Sequence, residues 1–96
     1  MSNFPADVVQ AAISSMHKWK VPASVTLAQW ALESGFGQHM PAGSNNPFGM
    51  KAVAGQPFVT ATTHEVVNGK TITVEAKFRK FNSIAEAFDA HGQLLV

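Results

Sequence analysis

Two glutamates in this chain sit where a carboxylate adds little to stability, and both could do acid–base work. Glu33 closes the run Ala28-Gln29-Trp30-Ala31-Leu32-Glu33-Ser34-Gly35-Phe36-Gly37. Pro22 suits a first helical turn, where its missing N–H costs nothing, and Gly35 and Gly37 suit a left-handed stop and a turn. A helix is therefore predicted from Pro22 to Ser34. Val25, Ala28 and Leu32, flanked by Ala31, recur at helical spacing, which predicts a core-facing side with Glu33 beside it in the last turn. The last carbonyls of a helix carry the negative end of its dipole and disfavour a charged carboxylate there. Partial burial against Trp30 and Phe36 would do the same. Both effects raise the pKa of Glu33. A carboxyl that keeps its proton near neutrality is what a general acid needs to protonate a leaving oxygen. The alternative, a solvated surface glutamate, stays open from the helix alone.

The second carboxylate is placed by a hairpin. Phe58 to Val67 and Lys70 to Phe81 are rich in Thr, Val, Ile and Phe, and Asn68-Gly69 joins them as a two-residue type I′ turn. That turn sets the register, pairing Val67 with Lys70, Glu65 with Ile72, Thr63 with Val74, Ala61 with Ala76 and Val59 with Phe78. One face is then apolar apart from Glu65, and the other carries Thr60, Thr62, His64, Thr71, Thr73, Glu75, Lys77 and Arg79. A carboxylate on the apolar side is paired, solvated at the rim or functional.

Between helix and hairpin runs an irregular stretch, Gln38 to Gln56, rich in Gly, Pro, Asn and Ser. Loops of this length are more often functional than idle. Asn45 and Asn46 offer amide donors and acceptors suited to sugar hydroxyls and N-acetyl groups, and equally suit Asx-turns and left-handed backbone. Phe48 packs inward, Gly49 permits a turn, and Lys51 is either cleft-lining or solvated. Phe36 and Trp30 are either exposed ring platforms for a ligand or core.

The remaining elements are structural. Pro5 opens a helix from Ala6 to about Lys18, with Val8, Val9, Ala12, Ile13, Met16 and Trp19 as its apolar stripe. Val21-Pro22 breaks it, giving an αα-hairpin. Ser83 and Glu86 form a capping box for a last helix whose apolar face is Ile84, Ala87, Phe88, His91, Leu94 and Leu95. Asp89 and Glu86 read as surface acids and His91 as a satisfied core or cleft-edge histidine. Helices, then a hairpin, then a helix make an α+β fold.

Composition narrows the function classes. Ninety-six residues allow one small domain that buries roughly 60 to 65 per cent of its unfolded surface. With 46% hydrophobic and 14% charged residues the chain is globular rather than disordered. A net charge of +1, with basic residues spread out except Lys77, Arg79 and Lys80, argues against nucleic acid as partner. There is no Cys, so no disulfide or thiolate zinc site. His17, His39, His64 and His91 lack metal-ligand spacing, and neither a metal nor another cofactor is expected. No segment reads as a signal peptide or a membrane span. A nucleophilic-serine motif and a phosphate loop are absent as well.

The run Leu32-Glu33-Ser34-Gly35-Phe36-Gly37-Gln38, followed by Asn45-Asn46-Pro47-Phe48-Gly49-Met50-Lys51, closely resembles the glucosaminidase-domain family of bacterial and phage peptidoglycan hydrolases. Thr63-His64-Glu65 and Phe78-Arg79-Lys80-Phe81 continue the match, which runs from about Val21 to the end. The resemblance implies a small lysozyme-like α+β domain, a helical core with a β-hairpin lobe flanking a cleft. It implies an endo-β-N-acetylglucosaminidase acting on peptidoglycan glycan strands, with Glu33 as general acid and Glu65 as the facing acid of the β-lobe. Asn45, Asn46, Phe48, Lys51 and Phe36 would form the sugar cleft, and the site of action would be the cell wall, reached as a periplasmic, extracellular or phage-delivered protein.

Members of that family continue with further helical segments that bring a tyrosine to the active site, whereas this chain ends at Val96 and has no Tyr. Residues 1–96 are thus expected to be one glucosaminidase-like domain, truncated at its C-terminus relative to the family, which a partner or a missing segment would complete. Two rivals share the scaffold: a muramidase or lytic transglycosylase, and a non-catalytic peptidoglycan-binding fragment.

Overall fold

The structure is a computed structural model that describes residues 4–96. Its order is α1 (Ala6–Trp19), α2 (Ala23–Ser34), β1 (Phe58–Val67), β2 (Lys70–Arg79) and α3 (Ile84–Leu95), the α+β arrangement expected from the sequence. Lys20 ends α1 in a left-handed conformation, its N–H bonded to the Met16 carbonyl. Gly35 ends α2 in the same way. Ser83 caps α3 by accepting from the Glu86 N–H at 3.1 Å. The reciprocal half of the capping box lies one residue further back, where the Asn82 N–H donates to the Glu86 carboxylate at 3.5 Å.

The core lies where α1 meets α2 and α3. Val8, Ala11, Ala12, Trp30, Phe48 and Phe88 are buried together, with Leu27, Ala31, Met50 and Ile84 packed against them. Two small residues let α1 and α3 approach closely. Ser15 donates to the Phe88 carbonyl at 3.1 Å. A Cβ on Gly92 would run into the Ser15 hydroxyl and lie 2.7 Å from Trp19 Cδ1, so that crossing needs glycine. Asp89 ties the same pair of helices from outside, accepting from Trp19 Nε1 at 2.9 Å and pairing with Lys18 at 3.1 Å. The Trp19 N–H, ahead of Lys18, holds the Asp89 carboxyl below its usual pKa.

One expectation fails on α2. Val25 is 45% and Leu32 84% exposed, and Ala28 is exposed too. The inward stripe is Thr26, Trp30 and Ser34, spaced i, i+4 and i+8, with Leu27 and Ala31 partly buried beside it. A hydrophobicity pattern misses that stripe because two of its members are hydroxyl residues. The Ser34 hydroxyl bonds the Trp30 carbonyl within its own helix and accepts the Gly37 N–H at 2.9 Å, so burial leaves it satisfied. The α3 stripe also stops short, since Leu94 and Leu95 are exposed.

The hairpin register is the one the Asn68-Gly69 turn dictates, including Glu65 opposite Ile72 and Val59 opposite Phe78. Its apolar face is a cleft wall rather than a core layer. Phe78 is buried, Ala61, Thr63 and Ala76 are partly so, and Val67 and Ile72 towards the tip are exposed.

Candidate active site

The long loop is irregular but firmly tied to β2 and the chain just after it. The Arg79 N–H bonds the Met50 carbonyl and the Ala52 N–H bonds the Lys77 carbonyl, each at 2.9 Å. The Phe81 N–H reaches the Ser44 carbonyl at 2.8 Å. Asn46 is the knot. It is 1% exposed, donates from Nδ2 to the carbonyls of Met50 and Arg79 at 2.8 and 2.9 Å, and accepts the Met50 N–H at 3.2 Å. Its two amide protons are thus consumed by backbone. Asn45, in a left-handed conformation at φ 51°, donates to the Phe81 carbonyl at 3.1 Å.

These ties place the loop beside the end of α2 and opposite β1, leaving a cleft of about 490 Å³. Glu33 and His39 line it on the helix side, Asn46 and Gly49 at the loop, and Ala61, Thr62, Thr63 and Phe78 on the hairpin side. Glu33 is exposed at that wall and has no hydrogen-bond or ion-pair partner among the described residues. Partial desolvation raises its pKa above the ordinary carboxylate value. The expected direction holds, and it comes from desolvation at the cleft wall. A lone carboxyl of raised pKa opening onto a cleft is equipped to give up a proton there.

The other expected residues separate into three groups. Glu65 lies on the same hairpin face as Ala61 and Thr63, two residues nearer the tip, with Lys51 Nζ 3.9 Å from its carboxylate. Both side chains are about half exposed, and a pair that long and wet contributes little to stability. Lys51 also sits over the Phe78 ring at 5.5 Å. Phe48 is 6% exposed and stacks on His91 at 3.9 Å between ring centroids and packs against Phe88 at 4.9 Å. It supports the loop from beneath and presents no face to the cleft. Phe36 stands apart from the cleft lining, its ring at 5.9 Å from both Trp30 and Phe4.

Burial lowers the pKa of His91, and its Nδ1 has no partner among the described residues. It is a core histidine, although not the satisfied one expected. His39, Thr62 and Thr63 are cleft residues that the sequence did not single out as binding groups. The Gly-Phe-Gly turn that aims His39 was the available signal.

A helix-terminal acid thus faces a β-hairpin across an open cleft in a small α+β domain. The family model described as mannosyl-glycoprotein endo-beta-N-acetylglucosaminidase, the glucosaminidase family, matches residues 9–96, and the chain belongs to that family. It is 44% identical over 80 residues to the exo-glucosaminidase LytG of Bacillus subtilis, covering 82% of this chain and 28% of that protein. To the peptidoglycan hydrolase FlgJ of Salmonella typhimurium it is 43% identical over 82 residues, 78% of this chain and 26% of the relative.

Among solved structures, a C-terminally truncated glycoside hydrolase domain of the Salmonella FlgJ superposes with a TM-score of 0.76 at 38% identity, over 92% of this chain and 63% of that one. The catalytic domain of the autolysin Auto from Listeria monocytogenes superposes with a TM-score of 0.83 at 27% identity, over 99% and 59%. The chain therefore spans about a quarter of the length of the curated relatives and about three fifths of the solved domains. Among the described residues no helix is long and apolar enough to cross a membrane.

Proposed function

We propose that this chain is the acid-bearing part of a peptidoglycan endo-β-N-acetylglucosaminidase that acts on glycan strands of the cell wall. The observation that carries the reading is Glu33: a carboxyl of raised pKa, without a partner among the described residues, on the wall of a cleft, in a chain of the glucosaminidase family. Protonated Glu33 gives its proton to the glycosidic oxygen as the bond from that oxygen to the anomeric carbon of N-acetylglucosamine breaks. Positive charge then develops on the ring as an oxocarbenium-like transition state.

Glu65 takes the second role. It activates the attacking water, which needs the two carboxyls about 6.5 to 9.5 Å apart, or it orients a substrate whose own acetamido oxygen attacks the anomeric carbon. Asn45, Asn46 and Phe48 hold the cleft loop in place through backbone bonds and packing, and Lys51 flanks Glu65. The partial coverage of relatives supports reading residues 1–96 as a domain that further helical chain, in cis or from a partner, would complete.

Mass analysis of the fragments released from purified peptidoglycan tests the assignment. Products with N-acetylglucosamine at the reducing end are expected. Reducing muramic acid or an anhydro-sugar would replace the reading with a muramidase or a lytic transglycosylase. Binding of glycan without release of any fragment would leave a binding domain.

A further inference from the structure

The turn that follows Glu33 is built to hold one side chain in the cleft. Gly35, at φ 57°, sits directly beneath the imidazole of His39: a Cβ at that position would lie 2.5 Å from His39 Cδ2. The His39 N–H is fastened to the Ser34 carbonyl at 2.8 Å and the Gln38 N–H to the Gly35 carbonyl at 3.2 Å. Gly37 closes the turn from below, its N–H on the Ser34 hydroxyl. The ring is thus seated on bare glycine backbone, lining the same cleft as Glu33. Neither ring nitrogen has a hydrogen-bond partner among the described residues. Neutral imidazole carries a donor on one ring nitrogen and an acceptor on the other, and a sugar hydroxyl or acetamido group offers the complementary pair.

From this we infer that His39 is a substrate-contacting specificity residue, which hydrogen-bonds the saccharide lying beside Glu33, and that Gly35 is kept small to seat it. The inference rests on the reading of the cleft as a glycan site. Glycine at position 35 is favoured by its positive φ in any case, so the link to His39 has to be isolated by a double-variant comparison.

Calorimetric binding of solubilised peptidoglycan glycan strands provides it, in a Glu33→Gln background so that nothing is cut, with melting curves confirming that each variant folds. His39→Ala should weaken binding about tenfold, the loss of one polar contact. His39→Asn, which keeps a donor and an acceptor, should recover part of it. Gly35→Ala should weaken binding similarly while His39 is present, yet by less than about twofold once His39 is alanine. Equal affinity of the His39→Ala and His39 proteins, equal losses from Gly35→Ala in both backgrounds, or no binding of glycan by the His39 protein would overturn the inference. The glycosidase reading is judged separately, by fragment release from the Glu33 chain. Release with affinity indifferent to His39 would sink this inference alone.

Discussion

The Asn46 carboxamide donates to the Arg79 carbonyl at 2.9 Å and to the Met50 carbonyl at 2.8 Å, and those two bonds make the cleft loop and the end of β2 one unit. Asn46→Ala would leave the Arg79 carbonyl and the Met50 N–H short of a partner inside the protein, while the Met50 carbonyl keeps the Arg79 N–H, at a cost of about 2 to 3 kcal/mol. In a domain of this size that is a melting-temperature loss of roughly 10 to 20 °C. Urea denaturation checks it, and a loss below about 0.5 kcal/mol would mean that water replaces Asn46 without penalty.

His91 gives the fold an acid-sensitive core. Its folded-state pKa is lowered by burial, so the unfolded chain binds the proton more readily. Stability should therefore fall as pH drops through the unfolded histidine value of about 6.5, and go on falling until the folded value is passed. Glu33 has the opposite sign: its raised pKa makes the folded state the better proton binder, so its contribution declines as pH rises. Thermal melts of the parent and His91→Gln between about pH 5 and 7.5 separate the two. The parent should lose stability toward acid more steeply than the variant, and parallel curves would show that His91 is hydrated in the folded state.

Asp89 works in the usual carboxylate direction. Its pKa is lowered chiefly by the Trp19 N–H, so the stability it lends is present above the unfolded value of about 3.9 and is lost as pH falls through the lower folded value. Trp19→Phe should cost about 1 kcal/mol at neutral pH, discounted for exposure, in addition to any packing loss that persists at all pH values. The neutral-pH excess should vanish once the pH lies below the folded value. A penalty that does not change with pH would assign Trp19 to packing alone.

How legible this was depended on whether the local chemistry was self-sufficient. The Asn68-Gly69 turn fixes strand twist by its own backbone geometry, so the register followed residue for residue. Pro22 and Gly35 likewise bounded the Glu33 helix. What failed was the direction of that helix. Its buried face is chosen by tertiary fit, with Trp30 filling the core and the Ser34 hydroxyl bracing the next turn, while the more hydrophobic Leu32 points to solvent. Asn46 was legible as important but not as a structural knot, because the partner that ties the loop to β2 lies 33 residues away at Arg79. His39 was missed as a cleft residue because the glycines flanking Phe36 signal only a turn, and folded geometry is what brings the ring over Gly35.

Glu65 is tested by kinetics. Glu65→Gln should lower kcat by roughly a hundredfold or more if the carboxylate removes a proton from water. Added azide should then partly restore turnover and give an azido-sugar product. A loss of under about tenfold with no azide product would make the substrate acetamido group the nucleophile and leave Glu65 an orienting role.

The role of Glu33 as general acid is tested by reducing-end release from purified peptidoglycan by the parent chain beside Glu33→Gln, with the melting temperature of each recorded. Glu33→Gln should lower turnover by between about a hundredfold and ten-thousandfold. It should also leave the protein as stable or firmer by up to about 1 kcal/mol, since an acid is removed from the negative end of a helix. Fragment release by a folded Glu33→Gln chain at the parent's rate would contradict it.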